Sequence, residues 1–222
     1  MLVGIGGGQF SSGETKKIDE YVLGCLNKKN CKLLLLPTAA YDDTGYIRRV
    51  KRYFKKMNVV VDVINYAKNT YDSDDLVKMF DEADIIYLSG GNTLHALETW
   101  KQKGIDLLIK DAYIKNKCIM GISAGTISMC AKGYSEISED NYQLINGLDL
   151  IDIAVCPHYN LEARKTFDSV TYDNVGIALE DNTAFIYMNG VLSIIKSDDS
   201  AKAYIVKNGK KEEFINSIKL GG

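Results

Sequence analysis

The first 130 residues alternate short, almost continuously apolar runs with longer amphipathic stretches. Such apolar runs are typical of parallel strands that helices cover on both faces. They are MLVGI (1–5), KLLLLP (32–37), VVVDVI (59–64), ADIIYLS (83–89) and KCIMGI (117–122). Helical periodicity lies between them, at roughly 14–28, 44–56, 74–82 and 93–115. The alternation predicts an α/β fold with a doubly wound, mostly parallel sheet of the flavodoxin-like type.

Two details refine the prediction. Ser73 is followed by two aspartates and reads as the N-cap of the third helix. Beyond about residue 132 the runs become short and alternating, and Asn189-Gly190 and Asn208-Gly209 separate apolar runs in the manner of type I′ hairpins. We therefore expect the C-terminal third to add antiparallel hairpins to the edge of the sheet. No linker interrupts the chain, so residues 1–222 are interpreted as a single domain.

The composition is that of an ordinary globular protein, and it excludes several partner classes. Of 222 residues, 46% are hydrophobic and 25% are charged, and the formal net charge is −2. This balance gives no electrostatic reason to expect nucleic acid or an anionic membrane as a partner. No window approaches the roughly 18 to 20 continuous apolar residues that a membrane span requires. The N-terminus lacks the basic residues and the cleavage site of a secretion signal.

The five cysteines are odd in number and have no metal-like spacing. They are Cys25, Cys31, Cys118, Cys130 and Cys156. A chain of this length does not need disulfides to fold. The sequence therefore predicts a cytoplasmic protein with no structural metal.

The glycines of GIGGGQ (4–9) directly follow the first strand and raise the question of a dinucleotide site. However, Gln9 stands where the GxGxxG pattern has its third small residue, and the second strand ends in KLLLLPT without an acidic residue. A nucleotide site is therefore not favoured. The glycines of LSGGNT (88–93) follow the fourth strand in the same way.

The stretch GISAG (121–125) has the GxSxG pattern of a nucleophile elbow, at a point where a strand becomes a helix. In such an elbow a strained turn lifts the serine hydroxyl to the end of the sheet, and small flanking residues avoid a clash with the strand and helix. The alternative is that Ser123 is only the N-cap of a tight βα connection.

A serine nucleophile needs a general base, which is normally histidine. The chain contains two histidines. His95 lies inside NTLHALETW, an early helical position that is typical of a structural histidine. His158 follows an apolar strand and Pro157 in IAVCPHYN, and it is the favoured base.

The third member of such a triad is a carboxylate that orients the imidazole. Spacing does not choose among the acids near His158. They are Glu136, Glu139, Asp140, Asp149 and Asp152 before it and Glu162 after it.

Four motifs together resemble the peptidase E (aspartyl dipeptidase) family of serine peptidases: IGGGQ, SGGNT, GISAGTIS and CPHYN. Cyanophycinase is a larger relative of this family, and the class I glutamine amidotransferases share its architecture. The resemblance extends from the first strand to about residue 188.

The resemblance implies roles for individual residues. Ser123 matches the family nucleophile and His158 the family base. The family acid, 22 residues before that histidine, falls on Glu136. The oxyanion hole would use the amide of Ala124 and one from the pair Gly90 and Gly91. Family members that cleave dipeptides with an N-terminal Asp recognise its carboxylate with an arginine, which corresponds here to Arg164.

The sequence thus predicts a cytoplasmic serine peptidase that acts on short peptides without a metal or cofactor, as a monomer or a homodimer. Dipeptides with an N-terminal Asp are the substrates implied by the resemblance. The alternatives are an esterase or amidase that uses the same residues, and a non-catalytic binding protein that has lost the catalytic acid.

Overall fold

The structure is a computed structural model that describes residues 1–139, 141–170, 172–207 and 209–220. Five strands of the first half form a parallel sheet in the order β1-β5-β4-β2-β3. They are β1 (Leu2–Ile5), β2 (Lys32–Leu36), β3 (Val60–Val63), β4 (Ile85–Leu88) and β5 (Cys118–Ile122). Four of them are almost wholly buried, as their apolar sequences predict. The exception is β3, which forms the edge of the sheet and has exposed positions.

Helices cover both faces of this sheet and bury a separate apolar core on each face. They are α1 (Lys16–Leu26), α2 (Thr44–Lys55), α3 (Ser73–Glu82), α4 (Thr93–Lys103), α5 (Ile105–Ile114) and α6 (Ala124–Met129). The long helix predicted over 93–115 is two helices, because Gly104 adopts a left-handed conformation (φ 69°) that ends α4. The N-cap of α3 is Asp72 and not Ser73, since the Asp72 carboxylate accepts a hydrogen bond from the Asp75 amide.

The C-terminal third extends the same sheet with antiparallel strands, as predicted. The added strands are β10 (Thr183–Met188), which pairs with β1, followed by β11 (Val191–Lys196) and β14 (Ile218–Lys219). Asn189 (φ 53°) and Gly190 (φ 77°) form the tight turn between β10 and β11. Asn208 lies outside the described residues, but the strands on either side of it pair as a hairpin.

A second sheet of six strands, in the order β13-β12-β9-β8-β6-β7, was not predicted. Its members are β6 (Cys130–Ser138), β7 (Asn141–Asn146), β8 (Ile151–Cys156), β9 (Val175–Leu179), β12 (Ala203–Lys207) and β13 (Lys210–Glu213). At its centre β8 and β9 are parallel, with Cys156 opposite Ala178. The C-terminal ends of β8 and β9 therefore lie side by side.

Candidate active site

Ser123 lies directly after β5 in a strained backbone conformation, with φ 54° and ψ −110°. A non-glycine residue rarely adopts a positive φ, and such strain is concentrated at functional sites. Ser123 occupies the N-cap position of α6, yet its side chain makes no capping hydrogen bond. The hydroxyl is therefore not used to cap the helix, and the N-cap interpretation does not account for this serine.

Close packing around the elbow explains its small residues. A Cβ on Gly121 would lie 2.5 Å from the carbonyl carbon of Gly125, and one on Gly125 would lie 2.1 Å from the carbonyl oxygen of Leu88. The Thr126 hydroxyl donates to the carbonyls of Ile5 and Gly121 at 2.7 and 2.9 Å. The turn is thus fixed between β1, β4 and the start of α6.

His158 is the histidine that meets the serine. Its Nε2 lies 2.8 Å from Ser123 Oγ, and its own backbone has a positive φ of 54°. The His158 amide donates to the Gly6 carbonyl at 3.0 Å, which ties the base to the end of β1. His95 lies elsewhere, on α4, where its ring stacks on Tyr41 with centroids 4.4 Å apart.

The carboxylate beside the imidazole is Asp181, whose Oδ1 lies 2.6 Å from His158 Nδ1. The expectation that Glu136 would accept this hydrogen bond is not met, because both ring nitrogens of His158 already have partners in Ser123 and Asp181. Glu136 lies on β6 and lines the crevice onto which Ser123 opens.

None of the other candidate acids within the described residues takes this position either. Glu139 lines the same crevice as Glu136, and the exposed Glu162 begins a 3₁₀ helix, Glu162–Ser169. Asp152 accepts hydrogen bonds from Tyr172 and Asn174. Asp140 lies outside the described residues.

One sequence signal for Asp181 exists. The buried run VGIAL (175–179) is followed by Glu180 and Asp181, just as the run that ends at Cys156 is followed by His158. Parallel neighbours bring such residues to one end of a sheet. The prediction that the C-terminal runs form antiparallel edge strands hides this correspondence, because it places β8 and β9 in no parallel pair.

The glycine-rich N-terminal motif lets the imidazole and its carboxylate pack tightly. A Cβ on Gly7 would lie 1.8 Å from Asp181 Oδ1 and 2.5 Å from His158 Nδ1. The Asn182 amide also donates to the Gly7 carbonyl at 3.1 Å. The motif thus has a structural purpose that requires no nucleotide.

Asp181 is held in its charged form. Burial raises the pKa of its carboxyl, but the hydrogen bond and charge of His158, together with a hydrogen bond from Asn160, outweigh burial and bring the pKa below its ordinary value. An ionised carboxylate at this position supports a positive charge on the imidazole.

Ser123 opens onto a crevice of about 410 Å³. Residues 91–93, which are the loop after β4 and the first residue of α4, line it, and so do residues 135–139, which are the end of β6 and the residue after it. These two segments approach each other where the hydroxyls of Thr93 and Ser135 lie 3.4 Å apart. Among the predicted oxyanion residues, Gly91 and Ala124 line this crevice, and a Cβ on Gly90 would lie 3.5 Å from the Cβ of Ser123.

Arg164 also lines the crevice. Its Nη1 donates to the Tyr134 carbonyl at 2.6 Å, and its guanidinium carbon lies 4.6 Å from the centroid of the Tyr142 ring. The structure therefore brings Ser123 and Arg164 into one crevice, with Glu136 and Glu139 beside them.

Within the described ranges, no helix is long and apolar enough to cross a membrane. The same residues contain no group of three or more His, Cys, Asp or Glu side chains that could hold a metal ion.

Comparison with known proteins is consistent along almost the whole chain. The family model described as peptidase family S51 matches residues 2–195. The uncharacterized peptidase YgaJ of Bacillus subtilis is 30% identical over 219 residues, which cover 96% of this chain and 94% of YgaJ. The uncharacterized peptidase Lmo0363 of Listeria monocytogenes is 26% identical over 142 residues, which cover 60% of this chain and 68% of that protein.

A solved structure shares the fold. The crystal structure of a peptidase from an acI-B1 actinobacterium superposes with a TM-score of 0.75 at 19% sequence identity. The match covers 99% of this chain and 96% of that one.

Proposed function

The chain belongs to peptidase family S51 and is a serine peptidase, and from this premise we propose that Ser123, His158 and Asp181 are its catalytic triad. The observation that carries the proposal is the continuous hydrogen-bonded chain from Ser123 Oγ through the imidazole to Asp181, with distances of 2.8 and 2.6 Å. Because Asp181 supplies the carboxylate, there is no longer a reason to favour a binding protein that has lost its acid.

The proposed reaction has two halves. Ser123 Oγ attacks the carbonyl carbon of the scissile peptide bond, and its proton passes to His158 Nε2. Asp181 stabilises the imidazolium, which then gives the proton to the leaving amine as the peptide bond breaks. A water molecule, deprotonated by the same imidazole, hydrolyses the acyl-enzyme and restores the serine.

The tetrahedral intermediate carries a negative charge on the former carbonyl oxygen, which needs fixed donors. We assign this role to the amide of Ala124 and an amide from the pair Gly90 and Gly91. The support is their position: Gly91 and Ala124 line the crevice beside Ser123, and Gly91 adopts a φ of 133°.

The proposed substrates are short peptides, including dipeptides with an N-terminal Asp. Arg164 would pair with the side-chain carboxylate, because a guanidinium recognises a carboxylate in a directional, bidentate manner. A free α-ammonium group would be attracted by Glu136 and Glu139 in the same crevice. All three proposed triad residues come from one chain, so the proposal is compatible with a monomer or a homodimer. The five cysteines are free thiols, which supports a cytoplasmic location.

A substrate panel tests the reaction. We expect the protein to hydrolyse dipeptides or aminoacyl p-nitroanilides, and we expect a fluorophosphonate to label Ser123. The Ser123→Ala variant should show neither the hydrolysis nor the labelling. Hydrolysis of simple esters without any peptide cleavage would assign the chain to the esterase alternative. Peptide cleavage retained in Ser123→Ala would overturn the triad.

Arg164 is tested by a ratio of activities. If Arg164 reads a substrate carboxylate, Arg164→Ala will lower kcat/KM for Asp-X dipeptides by about 10- to 100-fold relative to Leu-X dipeptides. Arg164→Lys should recover only part of the preference, because an ammonium lacks the guanidinium fork. An unchanged ratio would remove Arg164 from substrate recognition.

A further inference from the structure

Asn160 makes two hydrogen bonds to Asp181, the residue that contacts the base. Its Nδ2 donates to Asp181 Oδ2 at 3.1 Å, and its Oδ1 accepts from the Asp181 amide at 3.0 Å. The remaining carboxylate oxygen, Oδ1, faces His158. Asn160 lies two residues beyond His158 and contacts Asp181 from the base's own segment.

The chemistry of these groups fixes the orientation of the Asn160 amide. A backbone N–H can only donate, so the oxygen of the Asn160 side chain must face the Asp181 amide. The Asn160 NH₂ group then necessarily faces Asp181 Oδ2, which must accept the hydrogen bond. The arrangement is therefore complete only when Oδ2 carries no proton.

The segment that holds Asn160 is itself fixed at three points. The His158 amide donates to Gly6 at 3.0 Å, the Tyr159 amide donates to Leu179 at 2.9 Å, and the Leu161 amide donates to the His158 carbonyl at 2.9 Å. Asn160 is thus held between two anchored neighbours, although its own side chain is exposed.

We propose that Asn160 is a positioning residue for catalysis: its side-chain amide holds the Asp181 carboxylate ionised and turned so that Oδ1 meets His158 Nδ1. An aspartate carboxylate otherwise has a broad range of rotation about its last torsion. Asn160 restricts this rotation from the side opposite the imidazole. This inference rests on the proposed triad and adds to it a residue that the reacting atoms do not touch.

Because Asn160 acts through Asp181 and does not line the crevice, its loss should lower kcat and leave KM nearly unchanged. We expect Asn160→Ala to lower kcat by about 10- to 100-fold, the range for losing a hydrogen bond to a charged group. The pKa of Asp181, followed by carbon NMR of its carboxyl group, should rise in this variant.

Asn160→Asp separates a positioning role from a purely structural one. The replacement keeps the size and can still accept from the Asp181 amide, but it cannot donate to Oδ2 and adds a negative charge. A positioning role predicts a kcat no better than that of Asn160→Ala and a larger rise in the pKa of Asp181. A structural role predicts that Asn160→Asp is the better-tolerated variant, with a kcat above that of Asn160→Ala, and that outcome would overturn the inference.

Asn174→Ala is the matched control. Asn174 also donates from Nδ2 to an aspartate carboxylate, that of Asp152, and neither residue lines the crevice. It should leave kcat and the pKa of Asp181 unchanged. An equal loss of kcat in both variants would contradict the inference.

The Ser123→Ala variant separates failure of the triad from failure of the role of Asn160. If Ser123→Ala stays active, the proposed triad fails. If Ser123→Ala is inactive while Asn160→Ala matches the wild type, only the role of Asn160 fails.

Discussion

The nucleophile and the base are built in two different ways. The elbow around Ser123 is built on a local motif, in which Gly121, Gly125 and Thr126 lie within three residues of the serine and fit it against β1 and β4. The imidazole and its carboxylate are assembled from three distant segments, because His158 and Asp181 pack on Gly7 at the other end of the chain. The first can be recognised as a motif, whereas the second exists only after the strands have paired.

Different sets of strands hold the two residues in their strained backbone conformations. Backbone strain at Ser123 and at His158, each with a φ of 54°, must be balanced by surrounding contacts. For Ser123 those contacts come from the ends of β1, β4 and β5, all buried strands of one parallel sheet. For His158 they join the end of β8 to the ends of β1 and β9, which belong to two sheets.

The largest expected effect tests whether the two regions act as one unit. Replacement of Ser123 or His158 by alanine should each lower kcat by about 10⁵- to 10⁶-fold, since triad members are strongly interdependent. The double variant should then be no slower than either single variant. Steady-state kinetics on the best dipeptide of the panel measures this, and a further large loss in the double variant would show that the two side chains act independently.

The next effect concerns the acid of the triad and compares Asp181, beside the imidazole, with Glu136 in the crevice. Asp181→Asn should lower kcat by about 10⁴-fold, because an amide at this position favours the wrong imidazole tautomer and does not support its charge. Glu136→Gln, a change of the same chemical kind in the crevice, should lower kcat by less than about 10-fold. Rapid acylation by a reactive ester gives both rates. A reversed order would return the role to Glu136.

These comparisons explain how far the sequence could predict the molecule. Near-continuous apolar runs identified the five parallel strands, and the Asn189-Gly190 turn identified the β10–β11 hairpin. The second sheet was missed because its central pair, β8 and β9, is parallel and joined across 18 residues, a pairing that no short-range pattern specifies. A left-handed Gly104 likewise divides a stretch whose periodicity reads as one helix.

The same limit applies to the site: its local motifs can be predicted from the sequence, and its long-range contacts cannot. GxSxG and the scarcity of histidine were enough to nominate Ser123 and His158, which the structure brings within 2.8 Å of each other. Asp181 could not be chosen from spacing, because many carboxylates surround His158 in the sequence and only the register of β8 with β9 selects one. The role of Gly7 is equally invisible before the fold is known.

A smaller effect is expected at Gly7 and tests the packing of the distant segments. Gly7→Ala should lower kcat by about 100-fold, because its methyl group would displace Asp181 and His158, and displacements near 1 Å have costs of this order. Gly24→Ala is the control, since a Cβ on Gly24, within α1, meets no atom within 4 Å. It should leave kcat unchanged and stabilise the fold by about 0.5 to 1 kcal/mol. Equal kinetics for both alanine variants would show that the packing at Gly7 does not constrain the base.

The smallest effect is a dependence of stability on pH, and it distinguishes Asp181 from Asp19, a buried aspartate. The folded-state pKa of Asp181 is below its ordinary value of about 3.9. Between these two values the unfolded chain binds more protons than the folded protein, so stability falls as the pH falls. The contribution of Asp181 is complete above the unfolded pKa and disappears as the pH drops through the folded one.

Asp19 on α1 should behave in the opposite way. Burial raises the pKa of its carboxyl to about 6, although hydrogen bonds from Tyr53 and Thr15 oppose the increase. Between about pH 4 and 6 the folded protein then binds more protons than the unfolded chain, so this group favours folding more as the pH falls.

We therefore compare Asp181→Asn with Asp19→Asn by urea denaturation from pH 3 to pH 7, within roughly the range where carboxyls titrate. The stability lost in Asp181→Asn, under about 1 kcal/mol for a partly exposed pair, should shrink toward the acid end. The difference between wild type and Asp19→Asn should instead change between about pH 4 and 6, with wild type relatively more stable at the acid end. A pH profile of Asp181→Asn that runs parallel to that of the wild type would show that Asp181 gains no net stabilisation from His158 and Asn160, and that the contacts around the imidazole serve catalysis alone.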